Sequence, residues 1–120
     1  MSDEFLRVAK EEVSDDIAKI SNLLKNCSGD SDISKNAIEI EKHTHKLKGL
    51  APMMEQSEIG DVAATIDTLL KLVISGKSIP GIFQAIEKSN QFMLDAINDN
   101  KSDYVSLKND LNNKYSALLS

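Results

Sequence analysis

The chain of 120 residues contains little of what several protein classes require. Cys27 is its single cysteine, which excludes an internal disulfide scaffold and is typical of a cytosolic protein. Two prolines, five glycines and the absence of low-complexity tracts argue against a disordered or fibrous chain. Because the apolar runs are short and the start of the chain is acidic, we expect neither a membrane-spanning segment nor a secretory signal. The composition therefore predicts a cytoplasmic protein without membrane contact.

Basic and aromatic side chains are also scarce. Arg7 is the single arginine, tryptophan is absent, and the formal net charge is −5. Nucleic-acid binding needs clustered Lys and Arg side chains, or aromatic rings on which bases stack. We therefore expect no nucleic-acid partner.

Apolar residues recur every three or four positions from end to end, which is the period of amphipathic helices. The pattern predicts five helices, with the second beginning near Ile33, the third capped by Ser57 and the fourth opened by Pro80. Because the connections are short and strand patterns are absent, we predict an all-α fold, an antiparallel up-and-down four-helix bundle with an additional C-terminal fifth helix. The 41% of hydrophobic residues suffices for one core, so we expect a single domain over residues 1–120.

The first helix shows how the inner and outer faces are predicted. The acidic pairs Glu11-Glu12 and Asp15-Asp16 are interpreted as part of its solvated face. The predicted inner face consists of Phe5, Ala9, Val13, Ile17, Ile20 and Leu24.

One segment of the second helix contains more than a plain bundle needs. Because a helix advances about 100° per residue, His45, Lys48 and Gly49 share one face, and the histidine is expected to face solvent or the edge of the bundle. A glycine inside a helix costs about 1 kcal/mol relative to alanine, and beside a histidine it leaves room for another backbone or a phosphoryl group. The imidazole is a nucleophile near neutral pH, and the lysine supplies a cation that balances an anion on the ring. These features are typical of a phosphoryl-accepting histidine.

Each feature also has a simpler interpretation. An exposed histidine on a helix is more often a solvated side chain than a nucleophile, and a lysine three residues on is common on any solvated face. His43 lies about 200° around the helix from His45, so the two cannot share a metal ion, and we expect His43 to be a surface or packing residue. A helical adaptor without chemistry and a metal-binding bundle stay open as alternatives, although no set of inward-facing metal ligands is clear from the pattern.

The segment His45-Lys46-Leu47-Lys48-Gly49 resembles the H-x-L-K-G motif of histidine phosphotransfer (HPt) domains. These domains carry a phosphoryl group on a histidine between a kinase and the aspartate of a response regulator. The stretch from His45 to Met54 is similar to one typical of the amino-terminal phosphotransfer domain of CheA-type chemotaxis histidine kinases, and Ile59 to Leu70 resembles the helix that follows it. The resemblance covers nearly the whole chain and includes the count of five helices. It leaves open whether the chain is a separate relay protein or part of a larger histidine kinase.

The resemblance implies a role for each matching residue. His45 matches the phosphoacceptor, for which Nε2 is the usual attacking nitrogen, Lys48 matches a lysine near the phosphoryl group, and Gly49 matches the glycine that lets the regulator dock. Asp67 falls where chemotaxis-type domains have a glutamate that hydrogen bonds the other ring nitrogen. Since aspartate is one methylene shorter, this contact is expected to be looser or mediated by water. A glycine usual in the family falls at Glu55.

The resemblance also implies the partners. These are a histidine kinase catalytic domain, which binds ATP and Mg²⁺, and the receiver domain of a response regulator. The chain has no glycine-rich phosphate loop, so we expect it to hold no cofactor and no metal of its own. It is predicted to be a monomeric phosphoryl carrier and substrate domain rather than an enzyme. Because Pro52 removes a backbone donor, the second helix is expected to kink or end there.

Overall fold

The computed structural model describes residues 2–119 of the chain, and most of them lie in five α-helices. No strand is present among these residues, and none of their helices is both long and apolar enough to cross a membrane. The predicted all-α bundle with a C-terminal helix is confirmed. The helices are α1 (Asp3–Leu24), α2 (Asp30–Met53), α3 (Ser57–Ile74), α4 (Ile82–Ile97) and α5 (Tyr104–Leu119).

The core forms where the apolar stripes of the helices meet. On α1 every residue of the predicted inner face is buried except Phe5, which lies in the first turn and is 37% exposed. On α3 the predicted stripe is buried over its whole length. It consists of Ile59, Val62, Ala63, Ile66, Leu69, Leu70 and Val73.

One acidic residue of α1 lies inside the bundle, in contrast to the prediction of a solvated face. Asp16 is 1% exposed, and its carboxylate accepts a hydrogen bond from Nδ1 of His43 at 2.9 Å. Nζ of Lys46 lies 3.3 Å from the same oxygen. A carboxylate is tolerated in an apolar interior only when it is paired, and α2 supplies both partners. The contact also shows that α1 and α2 run antiparallel, because Glu12 of α1 pairs with Lys46 further along α2.

The second helix begins at Asp30 rather than near Ile33. The carboxylate of Asp32 accepts a hydrogen bond from the backbone N–H of Ser28 at 2.8 Å and so holds the chain at the start of the helix. Acidic side chains in a first turn also interact favourably with the positive end of the helix dipole. The apolar period starts only at Ile33, which is why the sequence pattern placed the boundary one turn too late.

Two other helix starts differ from prediction by one or two residues. The N-cap of α3 is Gln56, and Ser57 is the first helical residue. The fourth helix begins at Ile82 rather than at Pro80, because the N-cap Gly81 has a φ of 81° and interrupts the helical geometry between them.

The second helix ends at Met53, directly after Pro52, as predicted. The backbone N–H of Glu55 donates to the carbonyl of Pro52 at 3.1 Å, and that of Gln56 donates to the carbonyl of Ala51 at 2.9 Å. This pair of hydrogen bonds is a Schellman motif, which places Glu55 at the position where the backbone turns left-handed. Its φ is 66°, a conformation that glycine adopts without strain and that a side chain disfavours.

The fifth helix is attached mainly to α3. Tyr104 donates a hydrogen bond to the carboxylate of Asp61, and Lys108 donates to Oγ1 of Thr65 at 2.9 Å. The hydrogen bond to Asp61, together with burial, raises the pKa of Tyr104 to about 12. Behind these polar contacts α5 buries Leu107, Leu111 and Tyr115.

Candidate functional site

His45 lies on the exposed face of α2, with 62% of its side chain accessible. Gly49 follows one helical turn later, and a Cβ atom built there would meet no atom within 4 Å apart from its chain neighbours and the adjacent backbone of its own helix. The surface beside the imidazole is therefore open, which agrees with the expected face of this helix. Lys48 is also exposed and lies between them along the chain.

Asp67 of α3 lies beneath this histidine and is 1% exposed. Its Oδ1 accepts a hydrogen bond from Oγ1 of Thr44 at 3.0 Å, which fixes the carboxylate against α2. Oδ2 lies 3.9 Å from Nδ1 of His45. That separation is longer than a hydrogen bond. The short side chain of Asp67 therefore lies near the ring but does not hydrogen bond to it.

Two lysines approach the same carboxylate from different helices. Nζ of Lys48 lies 3.6 Å from Oδ2 of Asp67, and Nζ of Lys71 lies 3.2 Å from it. Sequence reasoning selected Lys48 and missed Lys71. The spacing of Asp67 and Lys71, four residues apart on α3, was the available indication, because such residues are neighbours on a helix surface.

A second carboxylate, that of Glu41, lies one turn before His45 on α2. Its Oε2 is 3.7 Å from Nδ1 of the ring, slightly closer than the carboxylate of Asp67. A hydrogen bond with Asp67, burial and the charge of Asp67 all raise the pKa of Glu41. Burial by itself would raise the pKa of Asp67 too, but hydrogen bonds from Glu41, Thr44 and Lys71 outweigh it and lower that pKa.

The two nitrogens of the imidazole ring lie in different surroundings. Both carboxylates lie on the Nδ1 side, where they stabilise a proton on that nitrogen. Nε2 is then left unprotonated and is the nitrogen available to an electrophile. The ammonium groups of Lys48 and Lys71 lie close enough to the cluster to balance an anionic group on the ring.

Comparison with known proteins identifies the family. Residues 4–103 match the family model described as Hpt domain, which covers α1 to α4. The chain belongs to the Hpt domain family. Hpt domains are phosphocarrier modules of phosphorelay signalling and interact with kinases and response regulators in two-component systems. Neither curated proteins nor solved structures gave a match. The resemblance to the H-x-L-K-G motif predicted an HPt domain, and the match to this family confirms that prediction.

The Hpt domain also groups three atoms that are able to bind a metal. Glu41, His45 and Asp67 each offer a ligand atom, and these atoms lie within 4.8 Å of one another. The resemblance placed Asp67 beside the ring of His45, whereas Glu41 was not among the predicted site residues. Lys48 and Lys71 hold positive charge against the same carboxylate, which opposes a cation and favours an anion at this position.

The other histidine of the Hpt domain lies outside this cluster. His43 faces α1, its side chain is 17% exposed, and its Nδ1 is bound to Asp16. It packs at the helix interface, in keeping with the expectation of a surface or packing residue. The contact with a buried carboxylate was not predicted, since nothing in the period of α1 marks Asp16 as an inward-facing residue.

Proposed function

We propose that this Hpt domain carries a phosphoryl group on Nε2 of His45, between the catalytic domain of a histidine kinase and the receiver domain of a response regulator. The proposal rests on the difference in exposure between the two histidines. His45 is 62% exposed beside an open glycine surface, whereas His43 is 17% exposed and engaged with buried Asp16. A partner active site therefore has direct access to only one of the two rings.

In the first step the kinase domain presents ATP with Mg²⁺. Nε2 of neutral His45 attacks the γ-phosphorus in line, the bond to the bridging oxygen breaks, and ADP leaves. The proton stays on Nδ1, so the ring becomes positively charged while the phosphoryl group is attached. Oδ2 of Asp67 and Oε2 of Glu41 lie 3.9 and 3.7 Å from Nδ1, and the negative charge of Asp67 stabilises the charged ring.

In the second step a carboxylate oxygen of the receiver aspartate attacks phosphorus. The P–N bond breaks, and its electron pair returns to Nε2, which restores the neutral ring. The open surface over Gly49 lets the backbone of the receiver approach the phosphohistidine. Lys48 offsets part of the negative charge while the two proteins are in contact.

We further infer that the domain is of the chemotaxis type and works in the cytoplasm as a single unit over residues 1–120. The stretch from His45 to Met54 supports the chemotaxis-type assignment. The attachment of α5 to α3 through Tyr104 and Lys108 supports including the last helix in the same domain. The partner domains, and not this chain, would hold ATP and Mg²⁺.

The test is phosphoryl transfer from ATP-charged kinase catalytic domains of the same organism, followed by intact mass. We expect one added phosphoryl group, labile in acid and stable in base, on wild type and on His43→Gln. His45→Gln is expected to receive none. An adduct that persists in His45→Gln would refute the assignment. Folded protein that no kinase phosphorylates would instead favour a helical adaptor without chemistry.

A further inference from the structure

The buried carboxylate beneath His45 does not reach the ring by itself. Oδ1 of Asp67 is held by Thr44 at 3.0 Å, and Oδ2, which also faces Lys71 and Lys48, stops 3.9 Å from Nδ1. A shift of Asp67 toward the ring would stretch that hydrogen bond. The ring of an exposed histidine turns freely unless a partner orients it, so a second group is needed on the Nδ1 side.

Glu41 is the group that the fold places there. It lies four residues before His45, so the two side chains are neighbours on the same helix surface. Its side chain is only 19% exposed, and its Oε2 is buried without a hydrogen-bond partner 3.7 Å from Nδ1. That separation is also longer than a hydrogen bond, so the exposed ring must move about 0.5 Å closer for Nδ1 to donate to it. It approaches the ring along α2, whereas Asp67 approaches from α3.

We propose that Glu41 is a positioning residue for the phosphoacceptor, and that it acts beside Asp67 to hold the Nδ1–H of His45 so that Nε2 faces the phosphoryl donor. This inference rests on the proposed function of His45.

Glu41 and Asp67 lie close together beside the ring, because one carboxyl oxygen of each and a nitrogen of His45 are within 4.8 Å of one another. Two ionised carboxylates are both acceptors, so a hydrogen bond between Glu41 and Asp67 requires a proton on one of them. The raised pKa of Glu41 and the lowered pKa of Asp67 assign it to Glu41. The charged groups facing the pair are His45 and Lys48 from α2 and Lys71 from α3. Lys71 and Lys48 stabilise the ionised form of Asp67, and Oε2 of Glu41 faces the ring.

The proposal predicts the effect of replacing Glu41 with glutamine, its amide. A glutamine at position 41 donates from its NH₂ group to Asp67 and accepts from Nδ1–H with its carbonyl oxygen. Glu41→Gln is therefore expected to behave like wild type, whereas Glu41→Ala removes both contacts. Glu39→Ala is the matched control, because Glu39 lies on the same helix and pairs with Lys42 instead of with the cluster.

The reaction test uses potassium phosphoramidate and needs no kinase. Nε2 attacks phosphorus, the P–N bond of the donor breaks and ammonia leaves. All variants are made in the His43→Gln background, so that His45 is the single histidine and intact mass reports its phosphorylation. Glu41→Ala is expected to react about three- to tenfold more slowly, the range for losing one hydrogen bond of ordinary net strength. Glu39→Ala and Glu41→Gln are expected to react at the parent rate.

A second measurement is independent of any phosphoryl donor. Long-range ¹H–¹⁵N NMR spectra of the unphosphorylated protein report which nitrogen of neutral His45 carries the proton. We expect the Nδ1–H form in the parent and in Glu41→Gln, and a shift toward the Nε2–H form in Glu41→Ala. Circular dichroism confirms that each variant is folded before its spectra are compared.

A longer acidic side chain on α3 completes the test. Asp67→Glu in the Glu41→Ala background is expected to recover both the reaction rate and the Nδ1–H form. Parent rate and tautomer in Glu41→Ala would overturn the inference, even if Asp67→Glu fails to fold. Loss of kinase transfer in wild type would count against the proposed function alone, because the tautomer is measured without a partner.

Discussion

Pro52 of α2 lies directly against Gly60 of α3. A Cβ atom at Gly60 would come within 2.6 Å of Cγ and 2.8 Å of Cδ of the proline ring, distances that real Cβ atoms do not tolerate. The glycine thus lets the end of α2 approach α3 closely, just beyond the turn that carries Gly49. Pro52 at the end of α2 and Gly60 of α3 therefore pack directly against each other.

Gly60→Ala is therefore expected to destabilise the domain by about 1–3 kcal/mol, the usual penalty for overpacking a close contact. Gly49→Ala is the matched control, because it also lies inside a helix but has open space around it. The control is expected to stabilise the domain by about 0.5–1 kcal/mol, since alanine is the better helix former. Urea unfolding monitored by circular dichroism measures both changes. Equal free energies of unfolding for the two variants would contradict the close contact.

The turn after α2 gives a prediction of the opposite sign. Glu55 has a φ of 66° in a Schellman motif, where a side chain is strained and glycine is not. Glu55→Gly is expected to stabilise the domain by about 1 kcal/mol. Glu55→Ala keeps the Cβ atom, so it should leave the free energy of unfolding nearly unchanged. Stabilisation by both substitutions alike would show that the charge of Glu55, and not its backbone conformation, is responsible.

The sequence was sufficient for the parts of the fold that depend on periodicity. Helix number, the buried stripe of α3 and the end of α2 at Pro52 follow from local patterns, and the structure agrees with them. Helix starts were less predictable. The N-terminus of α2 depends on the side-chain contact of Asp32 with Ser28, which the apolar period does not report.

Relationships between helices account for what was missed. Asp16 is interpreted as solvated from its acidic neighbours, yet His43 of α2 faces it across the interface. Glu41 and Lys71 gain a role only once Asp67 is known to lie beneath His45. The resemblance selected His45, Lys48, Gly49 and Asp67, whereas Glu41 and Lys71 depend on how α2 packs on α3.

Asp30 links two helices that are far apart in the sequence. Its carboxylate accepts hydrogen bonds from the backbone N–H groups of Phe83 and Gly81, both at 2.9 Å, and thereby caps the start of α4. These two hydrogen bonds lower the pKa of Asp30. A carboxyl group with a lowered pKa in the folded state stabilises the fold above its unfolded pKa, and the contribution is lost as the pH falls through the folded pKa.

We expect Asp30→Ala to reduce the free energy of unfolding at pH 7 by about 1–2 kcal/mol, as for loss of a helix cap. The difference from wild type should shrink as the pH is lowered below the unfolded pKa of aspartate, about 3.9. Chemical unfolding at a series of pH values measures this difference directly. A difference that stays constant down to the acid limit would mean that the ionised carboxylate is not the source of the stability.

The pair formed by His43 and Asp16 gives the last prediction, which separates stability from phosphotransfer. His43→Ala leaves the carboxylate of Asp16, 1% exposed, with Lys46 as its remaining close partner from α2. Removing one partner of a buried polar group costs about 1–3 kcal/mol, so the variant is expected to lose stability of that order. His43→Gln keeps a side-chain donor for Asp16 and is expected to lose less stability.

Phosphorylation of His45 should be unchanged in both variants, measured by intact mass at a temperature where both are folded. A phosphorylation defect in folded His43→Gln would show that the interface of α1 and α2 participates in the reaction, contrary to the separation of the two histidines seen in the structure.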